Sequence, residues 1–261
     1  MGTVLKALEL LDLFTRAQPL IGLSDLARQA GLNKATCYRL ITVLCEYGLV
    51  EQTGPAREYR LGPAVLRLAA LREAQVPTRE AAMPILQNLA NATGETAHLS
   101  LMMGQQLRPL AHAYSATHST RVMLEDTESF PFHATSSGLA TLAFLPEPFQ
   151  RLVLSQPLPQ LTRLTETDPQ TISARLETIR AQGWAESRGG YEADVHSIAA
   201  PLFNTFGHCI GALSVAALSS RMSDSQRSVI RPVLIHAAAE ITSLWGGSLP
   251  PTIAAIWHKA A

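Results

Sequence analysis

Between Gly31 and Val50 the chain reads GLNKATCYRLITVLCEYGLV, a segment that carries both a core stripe and many hydrogen-bonding side chains. At 100° per residue, Cys37, Leu40, Ile41, Leu44 and Tyr47 fall on one arc, which must face a core. Ala35, Tyr38, Arg39, Thr42 and Glu46 fall on the opposite arc, with Lys34 and Thr36 flanking it near the N-terminus. The chemistry this face suits is hydrogen bonding to bases and phosphates, because the major groove admits a whole α-helix. Small residues are needed where backbones approach, which Ala35 and Thr36 supply. Long donors are needed at base edges, which Lys34, Tyr38 and Arg39 supply. The helix N-terminus itself favours a phosphate. Glu46 lies about 16 Å beyond Ala35 along the axis and so clears the groove. Arg57 and Arg60 follow within reach of flanking phosphates or a minor groove. The same polar face would also serve a winged-helix adaptor that binds protein.

A second candidate chemistry is nucleophilic. Ser136 and Ser137 in ATSSGLA, with a histidine elsewhere, raise a serine hydrolase. No G-x-S-x-G elbow follows a strand, however, and no Asp–His partner is placed. The two serines read more simply as helix caps or ligand donors. Phosphate-cradling motifs of the G-x-x-x-x-G-K-[ST] or G-x-G-x-x-G kind are absent, so no nucleotide cofactor is expected. The eight histidines are scattered, and Cys37, Cys45 and Cys209 lack ligand spacing. The expectation is no metal, no cofactor and no catalytic residue.

The elements that position these residues follow from periodicity and punctuation. VLKALELLDLFTRA repeats Val4, Leu5, Leu8, Leu11 and Leu13 at helical spacing. Ser24 stands before DLARQA as an expected N-cap, and Gly31 ends that helix. Asn33 caps the third helix and Gly48 stops it. Two short strands are expected at about 49–53 and 57–61 around a Gly-Pro turn. Three helices and a hairpin are the element order of a winged helix-turn-helix. PAVLRLAALREAQ is an amphipathic helix whose Val65, Leu66, Leu68, Ala69 and Leu71 offer an apolar surface suited to pairing with a twin.

Beyond Pro77 the period changes. A helix starts near Pro84 or kinks there, and TAHLSLMM and LRPLAHAYS read as paired strands. SSGLATLAFL, EPFQRLVL and TISARLETIRAQG read as helices, and HSIAAPLFN and CIGALSVAAL as strands of a hairpin. A long helix with Ser223 or Asp224 at its cap contains Pro232, and SLPPTIAAIWHKAA reads as a loosely attached tail. In the hairpin, Ser197 and Ser214 share a face with Ala199 and Ala216 if the registers coincide. Their hydroxyls then either converge on a ligand beside a small gap or bond the backbone in a closed core.

Composition limits the classes. With 47% hydrophobic and 16% charged residues, the chain can bury a real core. No stretch reaches the ~18–20 apolar residues of a membrane span, and a cytoplasmic location with reduced thiols is expected. Net charge is zero, yet residues 1–75 carry nine Lys/Arg against seven Asp/Glu, a net of +2. Affinity for nucleic acid depends on where charges sit, so this permits DNA binding without requiring it.

KALELLDLF, LSDLARQAGLNKATCYRLITVLCEYGLVEQ and YRLGPAVLRLA resemble the N-terminal domain of the IclR family of bacterial transcription regulators. LANATGETAHLSL, FHATSSGLATLAFL and SIAAPLFNTFGHCIGALSVAAL extend the resemblance through residues 3 to 246. The resemblance implies an α+β chain: a winged helix-turn-helix DNA-binding domain over 1–62, a linker helix over 63–77, a GAF-like effector-binding domain over 78–247, and a tail over 248–261. It implies a non-enzymatic regulator whose partners are a double-stranded, palindromic DNA operator, a small organic effector and further copies in a homodimer or tetramer. Its recognition positions fall on Lys34, Ala35, Thr36, Tyr38 and Arg39, with serine more usual at Ala35. Its pocket positions fall on Ser136, Ser137, Ser187, Val195, Ser197, Ser214 and Ala216. Relatives that bind small keto acids tend to have aspartate at Ser187, cysteine at Ser197 and serine at Ala216, and the family usually has lysine at Leu139. The resemblance with these departures implies a pocket rich in hydroxyls and poor in charge, suited to an aromatic or other organic acid. His98 and His196 are further candidate contacts.

Overall fold

The computed structural model describes residues 2–15, 18–75, 78–123 and 128–260. The chain divides into two compact units, residues 1–77 and 78–261.

In the first unit, α1 (Thr3–Asp12), α2 (Leu23–Gln29) and α3 (Lys34–Glu46) precede an antiparallel hairpin of β1 (Val50–Thr53) and β2 (Glu58–Leu61). Leu10, Leu26, Cys37, Leu40, Ile41, Leu44, Val50 and Tyr59 form its core. The α2–α3 turn is a Schellman closure: Leu32 N donates to Ala27 O at 2.9 Å and Gly31 N to Arg28 O at 3.3 Å, with Gly31 left-handed at φ 63°. Asn33 then caps α3, its side chain accepting from Thr36 N at 2.8 Å. Together these fix the angle at which α3 leaves the turn.

Two local expectations are corrected. Ser24 is not the cap of α2; Gly22 is, and Ser24 lies inside the helix. The cause is just upstream, where Ile21 exchanges hydrogen bonds with Tyr59 of β2, so the helix starts as soon as that bridge ends. Tyr47 does not face the core and is 74% exposed. The helix closes there in a second Schellman motif, with Leu49 N on Leu44 O and Gly48 N on Cys45 O, and Val50 fills the core position instead.

α4 (Ala64–Gln75) follows the hairpin with Leu66, Leu68 and Leu71 all exposed, as are Val4, Leu5 and Leu8 on α1. The unit therefore carries apolar helix faces that it does not itself cover.

The second unit is a three-layer sandwich around a five-stranded antiparallel sheet ordered β4-β3-β7-β6-β5, the layer plan of a GAF-like domain. Its strands are β3 (Thr96–Met103), β4 (Gln106–Ala113), β5 (Ala185–Arg188), β6 (Val195–Phe203) and β7 (Cys209–Leu218). One face packs on α5 (Thr78–Thr93) and α9 (Asp224–Leu244), the other on α6 (Ser136–Phe144) and α8 (Pro169–Gln182), with α7 (Glu147–Leu154) at the edge of that second layer. Strand alternation sorts the residues: Ile198, Ala200, Leu202, Leu213 and Val215 enter the α5/α9 core, whereas Ala199 and Ala212 enter the α6/α8 core.

The supposed tail is a structural helix. Residues Pro251–Ala260 form α10, with Pro251 at its first position, where the missing N–H costs nothing. Ile253 and Trp257 are buried in the α5/α9 core cluster, and Trp257 Nε1 donates to Gly183 O at 3.1 Å.

Candidate functional site

The two units each present a candidate site. In the first unit it is the outward face of α3. Lys34, Ala35, Tyr38 and Arg39 are exposed, and Thr36 is half-buried, with its amide engaged by Asn33. Neither Lys34 nor Arg39 makes an ion pair among the described residues, so both charges are free to meet an anion. Thr42 returns its hydroxyl to Tyr38 O at 2.8 Å and adds no donor to the surface. On the wing, Arg57 sits at φ 54°, a left-handed turn residue whose carbonyl accepts from Gln52. Arg60 is held by Glu51 at 2.6 Å. That exposed pair is weak, but it lowers the positive charge Arg60 can offer. The arrangement can place one helix N-terminus, two free cations and a tyrosine against a polyanion.

In the second unit, a partly open cavity of about 40 Å³ lies between α6, the sheet and the 187–195 segment. Six of the seven expected pocket residues line it: Ser136, Ser137, Ser187, Val195, Ser197 and Ala216. Ser214 stands just behind. The strand register explains the convergence: Ser197 faces Ala216, Ala199 faces Ser214, and Ser214 in turn faces His98 on β3. All lie on the α6 side of the sheet. Ser136 Oγ donates to Ser197 Oγ at 2.8 Å and lies 3.2 Å from Ser214 Oγ. The two strand hydroxyls thus meet the first turn of α6 rather than bonding the backbone. Thr135 caps α6 by accepting from Gly138 N at 2.9 Å, which leaves the amides of Ser136 and Ser137 at positions without intrahelical acceptors.

Ser137 Oγ is 3.1 Å from His98 Nε2, which brings together two members of a hydrolytic triad. The third is not found among the described residues: there His98 Nδ1 has no hydrogen-bond partner, and none of their carboxylates orients the ring. Burial, with a smaller contribution from His112, pushes the His98 imidazole down to about 4, so it is neutral at pH 7. Ser187 is committed elsewhere, donating to Ala134 O at 2.6 Å. Among the described residues none of the lining side chains is Lys or Arg, and Glu192 at the exposed rim is their one carboxylate. Leu139, fully buried in the α6/α8 core, supplies no charge.

His196 does not join the cavity. Being adjacent to Ser197 it points to the other face, where Nε2 meets Glu186 at 2.5 Å beside Arg227. That alternation was already implicit in the strand pattern. Thr135, Phe130, Val122 and Tyr191 also line the cavity; they lie in segments without periodicity, so no pattern marked them.

Family models agree with this two-part layout. Residues 3–54 match the IclR helix-turn-helix domain, and residues 70–243 match the bacterial transcriptional regulator IclR C-terminal domain. The HTH-type transcriptional regulator BhcR of Paracoccus denitrificans is 30% identical over 239 residues, covering 91% of this chain and 85% of that protein. A crystal structure of an IclR transcriptional regulator from Silicibacter sp. TM1040 is 51% identical, with a TM-score of 0.88 over 97% of this chain and 99% of that one. An IclR homolog from Microbacterium hydrocarbonoxydans, complexed with 4-hydroxybenzoate, shares the fold at 24% identity and a TM-score of 0.55, covering 94% and 99%.

Proposed function

The chain belongs to the IclR family of bacterial transcriptional regulators, and from that premise we propose that α3 reads a pseudopalindromic operator while the α6 cavity senses a small organic acid. The observation that carries this is the split of roles: free donors on an exposed helix in one unit, and converging hydroxyls around a cavity in the other. Lys34, Ala35, Thr36, Tyr38 and Arg39 contact bases and phosphates, and Arg57 on the wing reaches the flanking backbone. Arg39→Ala is expected to weaken operator binding by roughly 1–3 kcal/mol with an unchanged circular dichroism spectrum. Unchanged affinity in fluorescence anisotropy would mean that α3 is not the reader.

The protein acts as a homodimer or tetramer. Few cations face outward on one winged helix, so a single neutral chain gains little from counterion release. Two copies double the contacts, and the exposed stripes Val4, Leu5, Leu8 and Leu66, Leu68, Leu71 are apolar surfaces that a second copy would cover. A monomer in sedimentation at micromolar concentration that still binds its operator tightly would refute this. No helix among the described residues is long and apolar enough to cross a membrane, and an operator-binding protein works in the cytoplasm.

The effector meets the hydroxyls of Ser136, Ser137, Ser197 and Ser214, with Ser187, Val195 and Ala216 shaping the wall. With no Lys or Arg among the described lining residues, a carboxylate is held by hydroxyls and the N-terminal amides of α6. 4-Hydroxybenzoate, carried by a family member of the same fold, is the first probe to try. Replacing Ser197 and Ser214 together with alanine is expected to cost about 1–3 kcal/mol of effector affinity, about 0.5–1.5 per hydrogen bond. Effector-free DNA binding stays the same. A double variant that responds to effector like the parent places the ligand elsewhere.

A further inference from the structure

With Phe130 in its present place, the α6 cavity holds the carboxylate end of an acid such as 4-hydroxybenzoate but not its ring. About 40 Å³ has room for a few waters, whereas an engineered cavity of about 150 Å³ is what admits benzene. Next to it on the surface lies a groove of about 250 Å³, walled by Phe132, Phe149, Leu152 and Val153. Among the described residues, Phe130 alone lines both spaces. Its ring lies against His98 with centroids 5.1 Å apart, and His98 Nδ1 has no hydrogen-bond partner among the described residues.

We infer that cavity and groove form one ligand cleft divided by the Phe130 side chain, and that its ligand has a compact polar head and an extended apolar tail. The head meets Ser136, Ser197 and His98, and the tail lies between Phe132 and Leu152. This inference rests on the effector-site reading and adds the ligand class. The Phe130 side chain, 5% exposed, must move while its backbone stays. Its backbone is pinned, with N donating to Leu107 O at 2.8 Å in an isolated bridge, so the side chain can turn while the chain stays in place. The ring belongs to neither large core; its fully buried companion is Leu107, with Met102 and Phe132 alongside. Turning it away opens the cavity toward the Phe132, Phe149, Leu152 and Val153 wall of the groove, which suits a hydrocarbon tail, while Gln105, Gln106, Ser129 and Gln156 line the rest.

The test is a calorimetric titration of the full chain with 4-phenylbutyrate, which has a carboxylate head and an aryl tail, and with acetate, which has the head alone. Phe130→Trp, which overfills the passage, is expected to weaken 4-phenylbutyrate by roughly tenfold or more. Phe130→Ala, which removes the partition, is expected to tighten it, and acetate is expected to change less than about twofold with either. Phe130→Leu, a milder change, covers the case in which the alanine variant does not fold. Equal responses of the two acids, or no binding of 4-phenylbutyrate by a folded Phe130→Ala or Phe130→Leu protein, overturns the inference. The effector-site reading fails on a different result, namely both acids binding unaltered after Ser136→Ala.

Discussion

Arg221→Met is expected to destabilise the second unit by about 3 kcal/mol, because it strands the Glu95 carboxylate inside the protein. Glu95 is 3% exposed and sits in the turn between α5 and β3. Arg221, in the turn between β7 and α9, grips it with both arms, Nε to Oε1 at 2.6 Å and Nη2 to Oε2 at 2.7 Å. The next nearest cation candidate, His118, is 3.8 Å away and 40% exposed, too distant to take over. Removing one partner of a buried pair costs about 3–5 kcal/mol, and the lower end applies because Arg221 is itself partly exposed and water can follow. Replacing both residues with apolar ones of similar size, Glu95→Leu with Arg221→Met, is expected to recover most of the loss. Urea denaturation followed on the transition of this unit reads both variants. A loss under about 1 kcal/mol in Arg221→Met would mean that the pair behaves as a surface contact.

Trp257→Ala is expected to cost about 3–5 kcal/mol, the range for deleting a buried large aromatic. The indole is 4% exposed within the α5/α9 core cluster and its N–H caps the carbonyl of Gly183. Gly183 is left-handed at φ 81°, and a Cβ there would lie 2.5 Å from the indole nitrogen, so the end of α8 and the face of α10 fit only as a glycine–tryptophan pair. Trp257→Phe keeps much of the apolar area and loses the hydrogen bond, and is expected to cost about 1 kcal/mol for that bond, plus a smaller packing loss. Were α10 a loose appendage, both substitutions would stay within about 0.5 kcal/mol.

Much of the frame was readable because local chemistry and long-range packing agree. Asn33 as a cap, Gly31, Gly48 and Gly183 as helix stops, and the three hairpins obey rules that act over a few residues, and the structure keeps them. Where it departs, a distant partner decides. β5 is a four-residue polar stretch, AESR, that becomes a strand by pairing with β6. Ser24 lost the capping role because Ile21 pairs with Tyr59, thirty-eight positions away in sequence. In α10 the double proline reads as a breaker, although Ile253, Ile256 and Trp257 keep helical spacing and Pro251 is a favoured first residue. The hydroxyls of Ser136, Ser197 and Ser214 were each visible, but their meeting depends on the β6–β7 register and on where α6 docks. Phe130 lies in an aperiodic segment, and nothing local marks it as a partition.

Whether α3 serves a multi-copy DNA reader is decided by selecting duplexes from a random pool with the full chain. The stoichiometry and salt dependence of the complex are then measured by anisotropy. A multi-copy reader enriches a pseudopalindrome whose half-sites lie about one or more helical turns apart, binds with at least two chains per duplex, and loses affinity steeply with salt. No enrichment over random sequence, or one chain per duplex at full affinity, would contradict it.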